Sequence, residues 1–190
     1  MFNWLSIRDA NPKDAAFLSR CIMAAFHLYN FDSALSDSMS EVLARIEACE
    51  RRKTTLYSYT NTRIAEVNGV PAGALLSYPG EEYLRRKEKT FREFWPEYFD
   101  KFADDAPETD PGEYYLDSLA VHPMYRRMGV GTALLRDGIR KGLEMGYSRI
   151  ALVADSEYPH LVKLYKSLGF IPEEKRRIFG IVFQRMIYTP

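Results

Sequence analysis

Cysteine, histidine and charge of one sign are all scarce in this chain of 190 residues. Its two cysteines, Cys21 and Cys49, lack the short paired spacing of a metal knuckle, and its three histidines are scattered, so no metal site is expected. Both cysteines fall in segments that read as helices, which suits reduced, buried thiols in a cytoplasmic protein better than a disulfide scaffold. Basic and acidic residues number 26 each, leaving no net charge and no basic footprint for nucleic acid. Long hydrophobic runs are missing too. No stretch approaches the length of a membrane span, and the opening MFNWLSIRDANPKD lacks a basic region followed by an apolar one, so neither a membrane segment nor a signal peptide is expected. What is abundant is apolar side chain, 46% of the residues. That excludes a disordered chain and suffices for a sizeable core, in one domain spanning 1–190 with room for an insertion.

The stretch 114–145 organises the rest. Residues 114–121, YYLDSLAV, are apolar on both faces apart from Asp117 and Ser118, as in a central buried strand. His122-Pro123 ends the ladder, because Pro has no N–H to donate. Arg126 and Arg127 follow, then Gly129-Val130-Gly131. A helix comes next, with Val130, Leu134, Leu135, Ile139 and Leu143 at helical spacing. Strand, glycine turn and helix N-terminus together make an anion site, since the unpaired N–H groups and the positive end of the dipole point into the turn. A phosphate loop of the Gly-Lys-Ser/Thr kind is excluded, because Thr132 and Ala133 follow Gly131. A dinucleotide fingerprint is excluded as well, because Leu134 stands where the third glycine belongs.

Arg126-x-x-Gly129-x-Gly131 after Leu119-Ala120-Val121 resembles the acyl-CoA loop of the GNAT superfamily of N-acetyltransferases. The resemblance continues in Leu164-Tyr165-Lys166-Ser167-Leu168-Gly169-Phe170 and, upstream, in a first strand of the type Leu5-Ser6-Ile7-Arg8-Asp9-Ala10. It covers 114–188 well and 5–77 loosely, and leaves 78–113 without a counterpart. The family likeness implies an acetyl-CoA co-substrate, no metal, and direct attack of a primary amine, on a small molecule or a peptide, without a covalent enzyme intermediate. It places the coenzyme A pyrophosphate on Met128, Gly129, Val130, Gly131 and Thr132, and the pantetheine along the backbone of Leu119, Ala120 and Val121. It makes Tyr165 the donor to the departing sulfur, against the alternative of a core tyrosine. Asp117 would be a base or the orderer of a relay water, with a pKa raised by burial, or else a structural clamp. Arg126 or Arg127 would reach the 3′-phosphate, or else pair with surface carboxylates. Tyr158 stands where the family often has Asn contacting the cofactor, with Asp155 a substitute nearby. The rival function is a non-catalytic acyl-CoA-binding or sensor module.

The remaining elements read as strands at 4–8, 62–67, 70–77, 149–153, 170–175 and 179–188. Helices are expected from Asn11-Pro12 to about 27, from a Ser40 cap onward, over 130–145 and from Tyr158-Pro159 to Gly169. Asn68-Gly69 is a hairpin turn, and Pro71 requires an edge or a bulge. The order βααββ–insertion–βαβαββ implies an α/β fold, a mixed and mostly antiparallel twisted sheet of about seven strands flanked by helices. The insertion, about 80–113, has one or two helices and then Glu97, Asp100, Asp104, Asp105, Glu108, Asp110 and Glu113 against Lys101 alone. Read as an acidic rim, with Trp95 and Tyr98 to stack on a charged group, it would favour a cationic acceptor. Read blandly, it is a solvated loop. Phe31 and its neighbours are further acceptor-side candidates or loop packing. A second copy of the chain stays open as a partner.

Overall fold

The computed structural model describes residues 4–26, 37–99 and 105–190. Phe31, Asp100, Lys101 and Asp104, and the side chain of Tyr98, lie outside the described residues. The seven strands lie in the order β1-β2-β3-β4-β5-β7-β6: β1 is Leu5–Asp9, β2 Thr62–Val67, β3 Val70–Pro79, β4 Tyr114–Val121, β5 Ile150–Asp155, β6 Ile171–Ile178 and β7 Ile181–Tyr188. The described helices are α1 (Ala15–Ala25), α2 (Asp37–Glu50), α3 (Tyr83–Phe94), α4 (Pro96–Phe99), α5 (Val130–Glu144) and α6 (Pro159–Ser167). Pairings β1/β2, β2/β3, β5/β7 and β6/β7 are antiparallel, while β4 runs parallel to β5. The expected element order and the mixed, mostly antiparallel sheet are both present.

The chain divides into two compact units, Met1–Ser77 with Ser118–Gly138, and Tyr78–Asp117 with Ile139–Pro190. In the first, the β2–β3 hairpin turns on Asn68 and Gly69, both at positive φ, 51° and 80°. Left-handed backbone at two successive residues matches the twist of the flanking strands. Pro71 sits beside a register shift at Ala65/Glu66, the bulge its missing N–H requires. Ahead of α1, Asn11 accepts from the Lys13 N–H while Asp14 accepts from the Asn11 N–H, a reciprocal cap over one 3₁₀ turn. The core here gathers Leu18 and Cys21 of α1, Ile64 of β2, Ala74 of β3 and Ala120 of β4. Ala16 of α1 is exposed although apolar. The buried stripe runs instead through Ala15, Leu18, Cys21 and Ile22. Helix α2 starts at Asp37, so Ser40 lies inside it rather than capping it.

In the second unit, β6 and β7 join through Phe179 and Gly180, whose φ angles are 51° and 78°. Phe179, expected to begin a strand, is a turn residue. Gly142 of α5 lets that helix sit close to the start of the sheet. A Cβ there would lie 2.5 Å from Ile150 Cδ1 and 2.8 Å from Tyr114 Cδ1, both on fully buried side chains. In an open helix Gly→Ala is worth about 1 kcal/mol of stabilisation. Overpacking a filled core costs about 1–3 kcal/mol, and neither neighbour has room to swing. Gly142→Ala is therefore expected to lose up to about 2 kcal/mol of stability, read as a lower chemical-denaturation midpoint at unchanged m-value.

Candidate active site

Strand β4 carries the chain into the turn. His122 donates its backbone N–H to Ala72 O at 2.8 Å, and Pro123–Tyr125 form one 3₁₀ turn. Arg127 then adopts φ 64° and Gly129 φ 82°, so two left-handed residues fold the chain back into α5. The first helical N–H with a backbone acceptor is that of Ala133, bonded to Gly129 O at 2.9 Å. The amides of Val130, Gly131 and Thr132 come before it, at the positive end of a 15-residue helix.

Gly129 is explained by its positive φ. Gly131 is not. Its backbone is helical, and a Cβ there would meet Val121 Cγ2 at 3.5 Å and Leu119 Cδ2 at 3.8 Å, ordinary contacts. Among the described residues no neighbour requires glycine at that position, which suits a phosphate that approaches the backbone of the first helical turn. Arg126 and Arg127 are exposed, and among the described residues neither has a carboxylate partner. Arg126 donates from Nε to Val121 O at 3.2 Å. The expected ion-paired alternative for these arginines is thus absent among the described residues, and Val121 O is engaged by the protein itself. Met128 is exposed and Thr132 half-buried.

In the second unit, Asp117 is half-buried and lies in a cluster of tyrosines. Tyr78 Oη donates to Asp117 Oδ2. Tyr83 and Tyr115 donate to the two oxygens of Glu108, at 3.0 and 2.9 Å. Burial, together with the charges of Asp117 and Glu108, pushes the Tyr78 hydroxyl well above its ordinary pKa; burial and Glu108 do the same to Tyr115. Burial raises the Glu108 carboxyl, against the hydroxyls it accepts from and the ammonium of Lys87. Tyr78 and Tyr115 therefore keep their protons at neutral pH and act as donors. Alternation along β4 places Tyr115 on the same face as Asp117. Tyr78 and Glu108 join them only through strand neighbours and a loop distant in sequence.

Tyr165 lies on α6, its ring edge-on to Phe170 at 6.2 Å. It is 8% exposed, and burial alone pushes its hydroxyl up to about 12. No hydrogen bond to a described residue contributes to that shift. Tyr158 precedes α6, packs edge-on against His160 at 5.9 Å and provides no side-chain cap. Asp155 Oδ1 accepts from the Glu157 N–H at 2.9 Å, so that carboxylate shapes the turn leading into α6.

The acidic segment is neither a rim nor a solvated loop over the residues described. Asp110 pairs with Arg176 at 2.6 Å, and Glu113 is buried against Arg185 and accepts from the Asp110 N–H and the Thr109 hydroxyl. Asp105 accepts from the Phe179 N–H at 2.6 Å, and Glu108 holds the two tyrosines. The strand arginines neutralise what the sequence presents as a run of one sign. Trp95 packs among Phe91 and Phe94. Among the described residues no group of three or more His, Cys, Asp or Glu could hold a metal, and no helix is long and apolar enough to cross a membrane.

Residues 22–170 match the Acetyltransferase (GNAT) family. A comparison with curated protein sequences finds no match. Among solved structures, the N-acetyltransferase from Staphylococcus aureus Mu50 is 25% identical, with a TM-score of 0.78 over 96% of this chain and 99% of its own. An acetyltransferase crystal structure is also 25% identical, at a TM-score of 0.76 over 97% and 98% of the two chains. The fold extends to yncA from Salmonella typhimurium, solved with its cofactor acetyl-CoA, at 21% identity and a TM-score of 0.57 over 98% and 94%. Motif, turn geometry, strand order and a match spanning most of the sequence agree: this chain belongs to the Acetyltransferase (GNAT) family.

Proposed function

We propose that the protein transfers the acetyl group of acetyl-CoA directly to a primary amine, on a small molecule or a peptide. The observation that carries this reading is the α5 turn, where Gly131 has no internal reason to be glycine and three amides open the helix. Gly129, Val130, Gly131 and Thr132 hold the pyrophosphate through backbone N–H groups, with Met128 at the rim and Arg126 or Arg127 turned to the 3′-phosphate. The backbone of Leu119 and Ala120 aligns the pantetheine; Val121 contributes less through its carbonyl, which already accepts from Arg126. Bound there, acetyl-CoA supplies a thioester carbonyl as the electrophile.

The chain's own residues supply the rest. An acceptor amine must shed a proton before it attacks, and Asp117 takes that proton, directly or through a water. Tyr165 donates to the sulfur as the carbon–sulfur bond breaks. With its hydroxyl at about 12 against roughly 8.5 for a thiol, complete proton transfer would run uphill by roughly 5 kcal/mol. Tyr165 therefore acts as a hydrogen-bond donor that stabilises the developing thiolate. Tyr158 borders the cofactor at the start of α6.

The test is thiol release from acetyl-CoA with a panel of polyamines, amino acids, aminoglycosides and peptide N-termini, with the acetylated product identified by mass. Release that depends on one class of amine supports the reading. Coenzyme A binding with no release by any amine would assign the chain to the binding or sensor class instead.

A further inference from the structure

We propose that Tyr78 is a positioning residue for Asp117, and that the insertion keeps Tyr78 in place through Glu108; this rests on the reading of Asp117 as the proton acceptor. Tyr78 stands near the C-terminal end of β3, 1% exposed, and its hydroxyl donates to Asp117 Oδ2. A buried phenol cannot exchange that partner for water, so the bond restricts the rotation of the carboxylate and favours its charged form. The Tyr78 ring is itself held. Tyr83 of α3 stacks on it at 6.5 Å and 13°, and Tyr115 of β4 meets it at 5.7 Å and 61°. The hydroxyls of those two flanking rings end on the two oxygens of a single carboxylate, Glu108.

Glu108 is thus the fastening, and it comes from the loop that has no counterpart in the sequence resemblance. That loop is anchored through Asp110 to Arg176 and Glu113 to Arg185. Order passes from loop to tyrosine pair, from tyrosine pair to Tyr78, and from Tyr78 to Asp117. Among the described residues, the charged and titratable groups facing this cluster include Tyr78 from β3, Tyr115 from β4, Tyr83 and Lys87 from α3, and Glu108 and Asp105 from the loop. Lys87 Nζ lies 5.6 Å from the centroid of the Tyr83 ring and 5.4 Å from that of Phe179.

The experiment follows the Asp117 carboxyl carbon by NMR across pH in the full chain. Replacing Tyr78 by Phe removes a donor to a charged acceptor, so the titration midpoint of Asp117 rises by about 1–2 pH units. The control is Tyr147→Phe, whose hydroxyl bonds Glu81 at 3.1 Å and which leaves the midpoint where it was. A midpoint unmoved by Tyr78→Phe, or moved equally by the control, overturns the proposal. The kinetic counterpart uses the amine found by the panel. Tyr78→Phe lowers kcat by about 10–100-fold, the scale of a misplaced catalytic group, at unchanged KM for acetyl-CoA. In an Asp117→Asn background the same change costs less than about 2-fold, because residues acting as a unit are not additive. Equal losses in both backgrounds would make Tyr78 a core residue. Absence of thiol release from the parent would count against the acetyl-transfer reading, a result distinct from an unmoved midpoint.

Discussion

Arg185→Met unfolds at a markedly lower denaturant concentration than the parent, with about 3–5 kcal/mol of stability lost. Arg185 of β7 and Glu113 are almost wholly buried, 2% and 3% exposed at their side chains, and they pair directly. The same guanidinium also meets Glu173 and, at 3.3 Å, Asp110. Methionine fills the volume and removes the charge, which strands carboxylates in an interior where desolvation is expensive. Arg149, at 3.3 Å from Glu113, and the Thr109 hydroxyl soften the loss. They keep it near the lower end of the range. Arg185→Lys retains a charge but not the fork that serves two sides at once, so it falls between Met and the parent.

The same ion cluster gives the parent an acid limb. Asp110 is held below the usual carboxylate range, first by its hydrogen bonds from Arg176. A depressed carboxylate contributes stability that is fully present above its unfolded pKa and is lost as pH falls through the lower folded value. The Asp110 contribution is therefore lost below about pH 4, the ordinary carboxylate value, and Asp110→Asn flattens that part of the acid limb. Denaturation midpoints that are equal for Arg185→Met and the parent would remove the ion cluster from the account of stability.

The second large effect is catalytic. Tyr165→Phe lowers kcat by about 10²–10³-fold, the scale of losing one hydrogen-bond donor to developing charge, while the affinity for coenzyme A barely moves. Phenylalanine keeps the ring against Phe170, so the fold is spared and only the donor is lost. Because burial pushes the hydroxyl up to about 12, Tyr165 stays protonated through the whole practical assay range. It adds no alkaline limb to the pH profile. A variant with the parent's turnover would return Tyr165 to the core.

Sequence reading reached furthest where chemistry is local. The β4–turn–α5 segment, the Asn68-Gly69 hairpin and the Pro71 bulge each depend on residues within a few positions of one another. Their glycines and prolines carry backbone requirements that no other residue meets. The acidic insertion was misread for the opposite reason. Asp110 and Glu113 look like one charge run because their partners Arg176 and Arg185 stand 66 and 72 residues away. The tyrosine cluster is hidden in the same manner: Tyr78 and Asp117 are 39 residues apart and meet only when strands assemble. Ser40 illustrates a smaller limit, since a cap-forming residue within an amphipathic stretch does not by itself mark where the helix starts.

The central claim is that the turn opening α5 is the acyl-CoA site, and titration calorimetry with coenzyme A tests it most directly. A Cβ at position 131 would meet Val121 Cγ2 and Leu119 Cδ2 at ordinary contact distances, so Gly131→Val is expected to fold while its added methyl groups crowd the first helical amides. The account predicts saturable binding to the parent and none to a folded Gly131→Val protein. Equal affinity for the two, or no binding to the parent, would contradict it.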